Sequence, residues 1–425
     1  MIDLIIRNAN LPDGRSGVDI AVDNGKILEI EPQIEAEAHQ TLNLDHWLVS
    51  TPLVDPHFHM DSTLSAGRPR INQSGTLLEG IEIWGDLVPT LTADDIKHRA
   101  RTLCHWSIAK GCLAIRSHID VTDDSLLAVE ALIELREEMA PWIDLQFVAF
   151  PQNGLFRHPP AKENLLRSLD LGVDIVGGIP HFERTMADGT ESVKVLCQIA
   201  ADRGLLVDLH CDETDDPNSR HIETLACETQ RLGMHGRVAG SHLTSMHSMD
   251  NYYASKLLSL IKEAEITAIP NPLINITIQG RQDTYPKRRG MTRVKEMIGM
   301  GIPVALGHDC MMDPWYGLGS HDMLEVAHMA VHVAQMTGVD EINAMYAGVT
   351  TTGAAVMHLD HMGLKPGCDA DLVILQARDP VEAIRLRATR LYVIRRGSVI
   401  AKSDPTKVNM MLGDTEIDVD FLEIN

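Results

Sequence analysis

"WLVSTPLVDPHFHMD", Trp47 to Asp61, is the stretch on which the fold turns. An apolar run reaches Val54 and then gives way to acidic and imidazole side chains. A short apolar segment ending in chemistry-bearing residues is how a buried parallel strand reads when its carboxyl end faces a site. The pattern returns in "CLAIRSHID" (112–120), "IDLQFVAFPQ" (143–152), "GVDIVGGIPHFE" (172–183), "LLVDLHCDE" (205–213), "RVAGSHLT" (237–244), "EITAIPNP" (265–272) and "IPVALGHD" (302–309). Helical patterns fill the gaps, and most segments follow one another at about thirty residues, as βα units require. The gap after the first is longer, which predicts an insertion. Eight such units predict an α/β fold, a (β/α)8 TIM-like barrel. An open doubly wound sheet is the alternative, but no G-x-G-x-x-G opens its first helix.

The two ends of the chain read differently. "DLIIRNANL", "VDIAVDNGKILEIEP" and "TLNLDHWLVS" alternate as short strands, with a hairpin turn at Asp23-Asn24-Gly25. "DADLVILQA" and "TRLYVIRRGSVIAKS" repeat the style near the C-terminus, with a turn at Arg396-Gly397. These ends are expected to pair into one small β-sandwich. The organisation is then residues 1–50 and 361–425 for the two parts of the sandwich, and 51–360 for the barrel.

Composition narrows the function. The chain has 425 residues, a formal net charge of -23 and 4% aromatic residues. A phosphate backbone demands basic patches and stacking surfaces, so nucleic acid is not an expected partner. Seven scattered cysteines without C-x-x-C argue against a disulfide framework or zinc finger. No basic segment followed by an apolar one opens the chain, and no apolar stretch approaches a bilayer's width. The expectation is a cytoplasmic protein, off the membrane, acting on small molecules.

Active sites of such barrels lie at the carboxyl ends of the strands. Read in order, those ends carry His57 and His59, then His118, Gln152, His181, His210 with Glu213, His242, and His308 with Asp309. A single buried histidine is usually a hydrogen-bonded core residue, and His118, His181 and His308 are read that way. The H-x-H pair is different. Period two sends both rings the same way, and two buried imidazoles need a shared partner. A divalent metal is the usual one, with a third histidine and a carboxylate completing the donors.

"DPHFHMD", the fifth- and sixth-strand histidines and the eighth-strand aspartate resemble the amidohydrolase superfamily. "NQSGTLLEGIEIW" (72–84), "APWIDLQFVAFPQ" (140–152), "HCDETDD" (210–216), "SHLTSMHS" (241–248), "QGRQDTYPKRRGMTRVKEM" (279–297) and "GHDCMMDPWYGLG" (307–319) narrow this to the bacterial cytosine deaminase family. The likeness runs over essentially the whole chain. It implies one divalent ion per subunit, Fe2+ or Zn2+, held by His57, His59, His210 and Asp309. Two-metal relatives bridge their ions with a carboxylated lysine at the end of strand four, where this chain has "GGIPHFE". The resemblance also implies a homo-oligomer.

Hydrolytic deamination needs an activated water, a protonated ring nitrogen and a proton for the leaving ammonia. Glu213, three residues after His210, suits the ring protonation, since desolvation there would raise its pKa and favour an acid able to donate. His242 suits the general base and Asp309 the proton carrier to the amine, roles the family assigns to similar positions. Gln152 offers donor and acceptor to the O2/N3 edge of a pyrimidine. Leu77 and Trp315 are expected as apolar walls. The small zinc deaminases that act on cytidine or nucleic acid carry H-x-E and P-C-x-x-C, which are absent here in the right context. A free nucleobase is therefore the expected partner. Related rings such as isoguanine or a triazine are alternatives, a non-catalytic metal-binding barrel a remoter one.

One residue departs from the family pattern. An aspartate usually follows the metal aspartate; this chain has Cys310. By resemblance that position borders the C4/C5 edge of the base. A small soft thiol there tolerates a 5-methyl group, so 5-methylcytosine joins cytosine as an expected substrate.

Overall fold

The computed structural model describes residues 1–422. Parallel strands Leu53–Phe58, Cys112–Asp120, Asp144–Phe150, Ile175–Gly178, Leu206–Cys211, Val238–His242 and Thr267–Ile269 form one seven-stranded sheet in chain order. The second of these is buried along its whole length, as a parallel strand covered on both faces must be. Helices fill the intervals by ordinary rules. Met186–Arg203 starts at Thr185, whose side chain accepts from Asp188 N, and stops at Gly204 with φ 69°. It buries Val193, Leu196, Cys197 and Ala200, one face at helical spacing. Leu196 fills the space over Gly178, where a Cβ would come within 2.4 Å of its Cδ1. Truncating it to alanine would cost about 2–5 kcal/mol.

The eighth segment closes the barrel without being the regular strand its apolar run predicts. It is held by single bridges, Val304 to Ala268 and Asp309 to Phe58. Pro303 has no N–H to give, and Leu306 N turns to Gly348 O at 3.0 Å, away from the neighbouring strands. The remaining bonds still set the register. Asp309 N donates to His57 O at 2.8 Å, and His59 N donates to Asp309 O at 3.1 Å. First and last segments are thus tied where their polar side chains meet. The long first gap contains an added helix, Leu77–Leu87, ahead of Ala93–Ala109.

The termini form two four-stranded sheets. One holds Lys26–Glu31, Val18–Asp23, Ile2–Ala9 and Ala38–Asn43; the other joins Ser398–Lys402, Arg390–Arg395 and Leu372–Leu375 to the N-terminal strand Leu48–Ser50. Leu4, Ile6, Ile20 and Val22 share a core with Leu372, Ile374 and Ile394. Both expected turns are two-residue loops with positive φ, 51° and 72° at Asn24-Gly25, 47° and 77° at Arg396-Gly397. Their tips touch, since a Cβ on Gly25 would lie 3.3 Å from Arg396 Cβ. A further hairpin, Val408–Leu412 with Thr415–Val419, stands as its own sheet. Among the described residues, no helix is long and apolar enough to cross a membrane.

Candidate active site

The carboxyl ends of the strands bring the polar residues together. His59 Nε2 lies 3.1 Å from His210 Nε2. Asp309 Oδ1 lies 3.5 Å from His57 Nε2 and 3.3 Å from His59 Nε2. One donor atom from each of His57, His59, His210 and Asp309 falls within 4.8 Å of all the others.

Burial pushes His59 down to about 4, against the pull of Asp309. It holds His210 well below the usual histidine range, with His118 and His57 adding. Burial opposes ionisation of Asp309, but His57, His242 and His59 outweigh it and keep its carboxyl well below the usual range. His59 and His210 therefore present imidazole lone pairs beside one carboxylate. His57 Nε2 is buried with no hydrogen-bond partner among the described residues. So many buried acceptors without donors are costly unless a cation lies between them. Imidazole and carboxylate suit a divalent ion of the zinc or ferrous type. Among the described residues, no lysine lines the adjoining cavity.

The backbone is bent to make this cluster. Asp309 (φ 71°), His242 (φ 69°), Leu243 (φ 53°) and Asp212 (φ 54°) are left-handed without being glycine. Each costs about 1–3 kcal/mol, strain that accumulates at functional sites. Asp212 anchors its turn by accepting from the backbone N–H of His221 at 3.0 Å and of Ile222 at 2.9 Å, and from Ser219 Oγ at 2.6 Å. That turn carries Glu213.

Glu213 Oε1 lies 3.2 Å from His242 Nδ1, which is 3.8 Å from Asp309 Oδ2. Burial, with the negative charge of Asp309 adding, raises Glu213 well above the usual carboxyl range. Burial pushes His242 well below the usual histidine range, with Asp309 opposing. A protonated acid beside a neutral imidazole is a chain able to pass a proton in either direction. Two asparagines orient that imidazole. Asn275 Nδ2 is 2.9 Å from His242 Nδ1, and Asn271 Nδ2 is 3.4 Å from Nε2. Sequence reading passed over both; the available signal was "NPLIN", two amides one helical turn apart in an apolar run.

One pocket joins His59, His210, Glu213, His242 and Asp309 to Leu77, Gln152, Cys310 and Trp315. His57 is fully buried and outside the lining. Phe150, Ile179, Ile274 and Ile278 complete the wall. They were missed because an apolar residue in a strand or helix looks the same whether it faces a cavity or a core. The Phe150 ring stacks on His210 at 4.2 Å between centroids.

Trp315 is held by its loop and by the added helix. Asp313 accepts from the backbone N–H of Trp315 and of Tyr316, each at 2.9 Å, and from Ser62 Oγ at 3.2 Å. Gly80 leaves room for the indole, because a Cβ there would lie 2.3 Å from Trp315 Cδ1. The same helix places Leu77 at its first turn, where Thr76 Oγ1 accepts from Glu79 N at 3.3 Å. The Cys310 thiol is buried, 3.5 Å from Asp309 Oδ1. Burial, then the Asp309 charge, push it well above the usual thiol range, so it is a neutral group.

The three remaining histidines stay out of the lining. His181 Nδ1 pairs with His210 O at 3.0 Å and His308 Nδ1 with Cys310 O at 3.0 Å. His118 is not the satisfied core histidine expected. Neither of its nitrogens has a hydrogen-bond partner among the described residues, although Nε2 lies 3.9 Å from Asp208 Oδ2, and its ring centroid is 4.2 Å from that of His57.

Known proteins share this arrangement of barrel and sandwich. Residues 40–401 match the model of the amidohydrolase family. The chain is similar to the 5-methylcytosine deaminase of Klebsiella pneumoniae, solved with phosphonocytosine. Identity is 40%, 95% of this chain and 99% of that one are covered, and the TM-score is 0.92. It is 28% identical to N-isopropylammelide isopropyl amidohydrolase of Pseudomonas sp. (strain ADP), over 95% of this chain and 98% of the relative. It is 27% identical to a pterin deaminase of Rhizobium rhizogenes, over 92% and 90%. By a family match that spans most of its length, the chain belongs to the amidohydrolase family of hydrolases.

Proposed function

We propose that this protein deaminates free cytosine-type bases, cytosine to uracil and 5-methylcytosine to thymine, with release of ammonia. One observation carries the reading: a single pocket brings His59, His210 and Asp309 of the ligand cluster together with Glu213, His242 and the amide of Gln152. The 40% identity to the Klebsiella 5-methylcytosine deaminase supports it.

A divalent ion, Fe2+ or Zn2+, held by His57, His59, His210 and Asp309 supplies the acidity that brings water's pKa towards about 7. The residues do the rest. Glu213 gives its proton to N3 of the ring, which makes C4 electrophilic. Water oxygen bonds to C4 as His242 takes one of its protons. That proton passes by way of Asp309 to the exocyclic nitrogen, the C4–N bond breaks, and ammonia leaves. The hydroxyl proton on C4 returns to Glu213, leaving the keto product. Gln152 holds the O2/N3 edge through its amide donor and acceptor, while Leu77 and Trp315 enclose the ring and exclude water. Cys310 presents a neutral, weakly polar surface to the C4/C5 edge. An added methyl in a fitted apolar pocket is worth about 1–3 kcal/mol, enough to make 5-methylcytosine a substrate.

Ammonia release from cytosine, 5-methylcytosine, isoguanine and an amino-triazine, measured with iron-, zinc- and manganese-loaded protein, tests the reading. The triazine belongs in the panel because of the Pseudomonas relative. Turnover of neither pyrimidine refutes the proposal. A hundredfold preference for cytosine over 5-methylcytosine refutes the role of Cys310. Glu213→Gln is expected to abolish turnover with metal content intact; full activity in that variant refutes its role as proton donor.

A further inference from the structure

His57 does not itself line the pocket, yet both of its ring nitrogens have neighbours that matter. Nε2 faces Asp309. Nδ1 lies 2.8 Å from Ser241 Oγ. Ser241 Oγ in turn lies 2.7 Å from Asp208 Oδ1, and Asp208 Oδ2 accepts from Arg116 Nη1 at 3.1 Å. His57, Ser241 and Asp208 are fully buried and Arg116 is 1% exposed. The guanidinium is itself immobilised, its Nη2 donating to Val356 O at 2.7 Å and its Nε to Gln146 Oε1 at 3.3 Å. Four residues from four different barrel strands thus form one line from a fixed cation to the back of His57.

The direction of that line follows from proton counting. A serine hydroxyl has one proton, and Ser241 has two neighbours that could take it. A hydrogen bond to a carboxylate is roughly twice as strong as one between neutral groups. Giving the proton to His57 would also strand a buried carboxylate oxygen without a donor, which costs about 1–3 kcal/mol or more. Ser241 therefore donates to Asp208 and accepts from Nδ1–H of His57. A neutral imidazole with a proton on Nδ1 carries its lone pair on Nε2. That is the atom 3.5 Å from Asp309 Oδ1 that has no other partner.

We infer that Arg116, Asp208 and Ser241 form a positioning relay that holds His57 as the Nδ1–H tautomer and aims its Nε2 lone pair at the ion. The inference rests on the reading of His57 as a metal ligand. Ligating histidines generally donate their other N–H to a polar partner that sets tautomer and orientation, and losing that partner typically costs 10- to 100-fold in affinity. Here the partner is a hydroxyl, and its polarity is set two residues further on by a buried ion pair. The relay explains why a charged pair lies at the centre of a barrel where apolar residues would pack as well.

The test is metal affinity in protein stripped with a chelator and titrated with zinc against a chromophoric competitor. Ser241→Ala removes the hydroxyl at nearly constant volume. It is expected to raise the zinc dissociation constant by about 10- to 100-fold while the metal-free protein melts within a few degrees of wild type. Ser241→Thr keeps the hydroxyl on a side chain that strands accept and is expected to recover most of the affinity. Wild-type affinity in Ser241→Ala overturns the relay alone. A wild-type protein that takes up no zinc overturns the ligand reading, and the relay with it.

Discussion

Replacing Cys310 by aspartate restores the residue usual in the resembled family and probes specificity directly. Cys310 Sγ lies 3.5 Å from Asp309 Oδ1 and the residue is 4% exposed. Two carboxylates at that separation repel by about 5 kcal/mol at an effective dielectric near 20. Asp313 beside them is already pushed up to about 6 by burial, with Asp309 adding to the rise. The new carboxyl would therefore take up a proton more readily than a free one. Charged or protonated, it is more polar and better hydrated than the thiol, so a 5-methyl group loses its apolar neighbour. The loss is worth about 1–3 kcal/mol, or about 10- to 200-fold in the ratio of kcat/KM for 5-methylcytosine over cytosine. Both bases compete in one reaction, and product ratios give that number without knowledge of enzyme concentration. Cys310→Asn separates polarity from charge, and Cys310→Ala separates both from volume. The expected order of the ratio is wild type and alanine highest, asparagine lower, aspartate lowest. A ratio in Cys310→Asp within twofold of wild type, with metal content and Tm preserved, refutes the reasoning and moves specificity to the Ile274 and Ile278 wall.

Two further predictions concern the frame around the cavity. Gly80→Ala drives a methyl to within 2.3 Å of Trp315 Cδ1; overpacking of this kind costs about 1–3 kcal/mol, and the displaced indole is expected to raise KM several-fold more than it lowers kcat. Steady-state kinetics with unchanged KM would show that Trp315 is no wall. His308, fully buried and pushed down to about 4 by burial, stays neutral in the fold at pH values where the unfolded chain binds a proton. Its contribution is present above the unfolded pKa of about 6.5 and is lost as pH falls from there towards 4, at up to about 1.4 kcal/mol per pH unit. Urea unfolding of metal-free protein across that range checks it: His308→Gln is expected to flatten the slope by about one proton, and an unchanged slope contradicts the assignment.

Much of the site was legible because its signals are local. His57 and His59 are two residues apart on one strand end, and Glu213 follows His210 by three on another, so period and spacing group the members of each pair, while the family resemblance joined the two pairs. The hairpins at Asn24-Gly25 and Arg396-Gly397 were legible for the same reason, since two adjacent residues must adopt positive φ. The eighth segment misled because its apolar run is a strand signal, whereas Pro303 and the diversion of Leu306 N to Gly348 break the ladder. Asn271 and Asn275 were passed over because an amide on a helix is ordinary until a histidine from another strand is found against it.

From residue type and period alone came the class of fold, the pairing of the two termini and the identity of the chemistry-bearing strand ends. These depend on forces that act within a few residues, where side-chain alternation and turn geometry leave few options. Tertiary structure alone decided which atoms face one another: Ser241 between His57 and Asp208, Gly80 under Trp315, His242 between Glu213 and Asp309. Those contacts join residues remote in sequence. Residue type says what a group can donate or accept, and only the closed barrel sets the distance across which it does so.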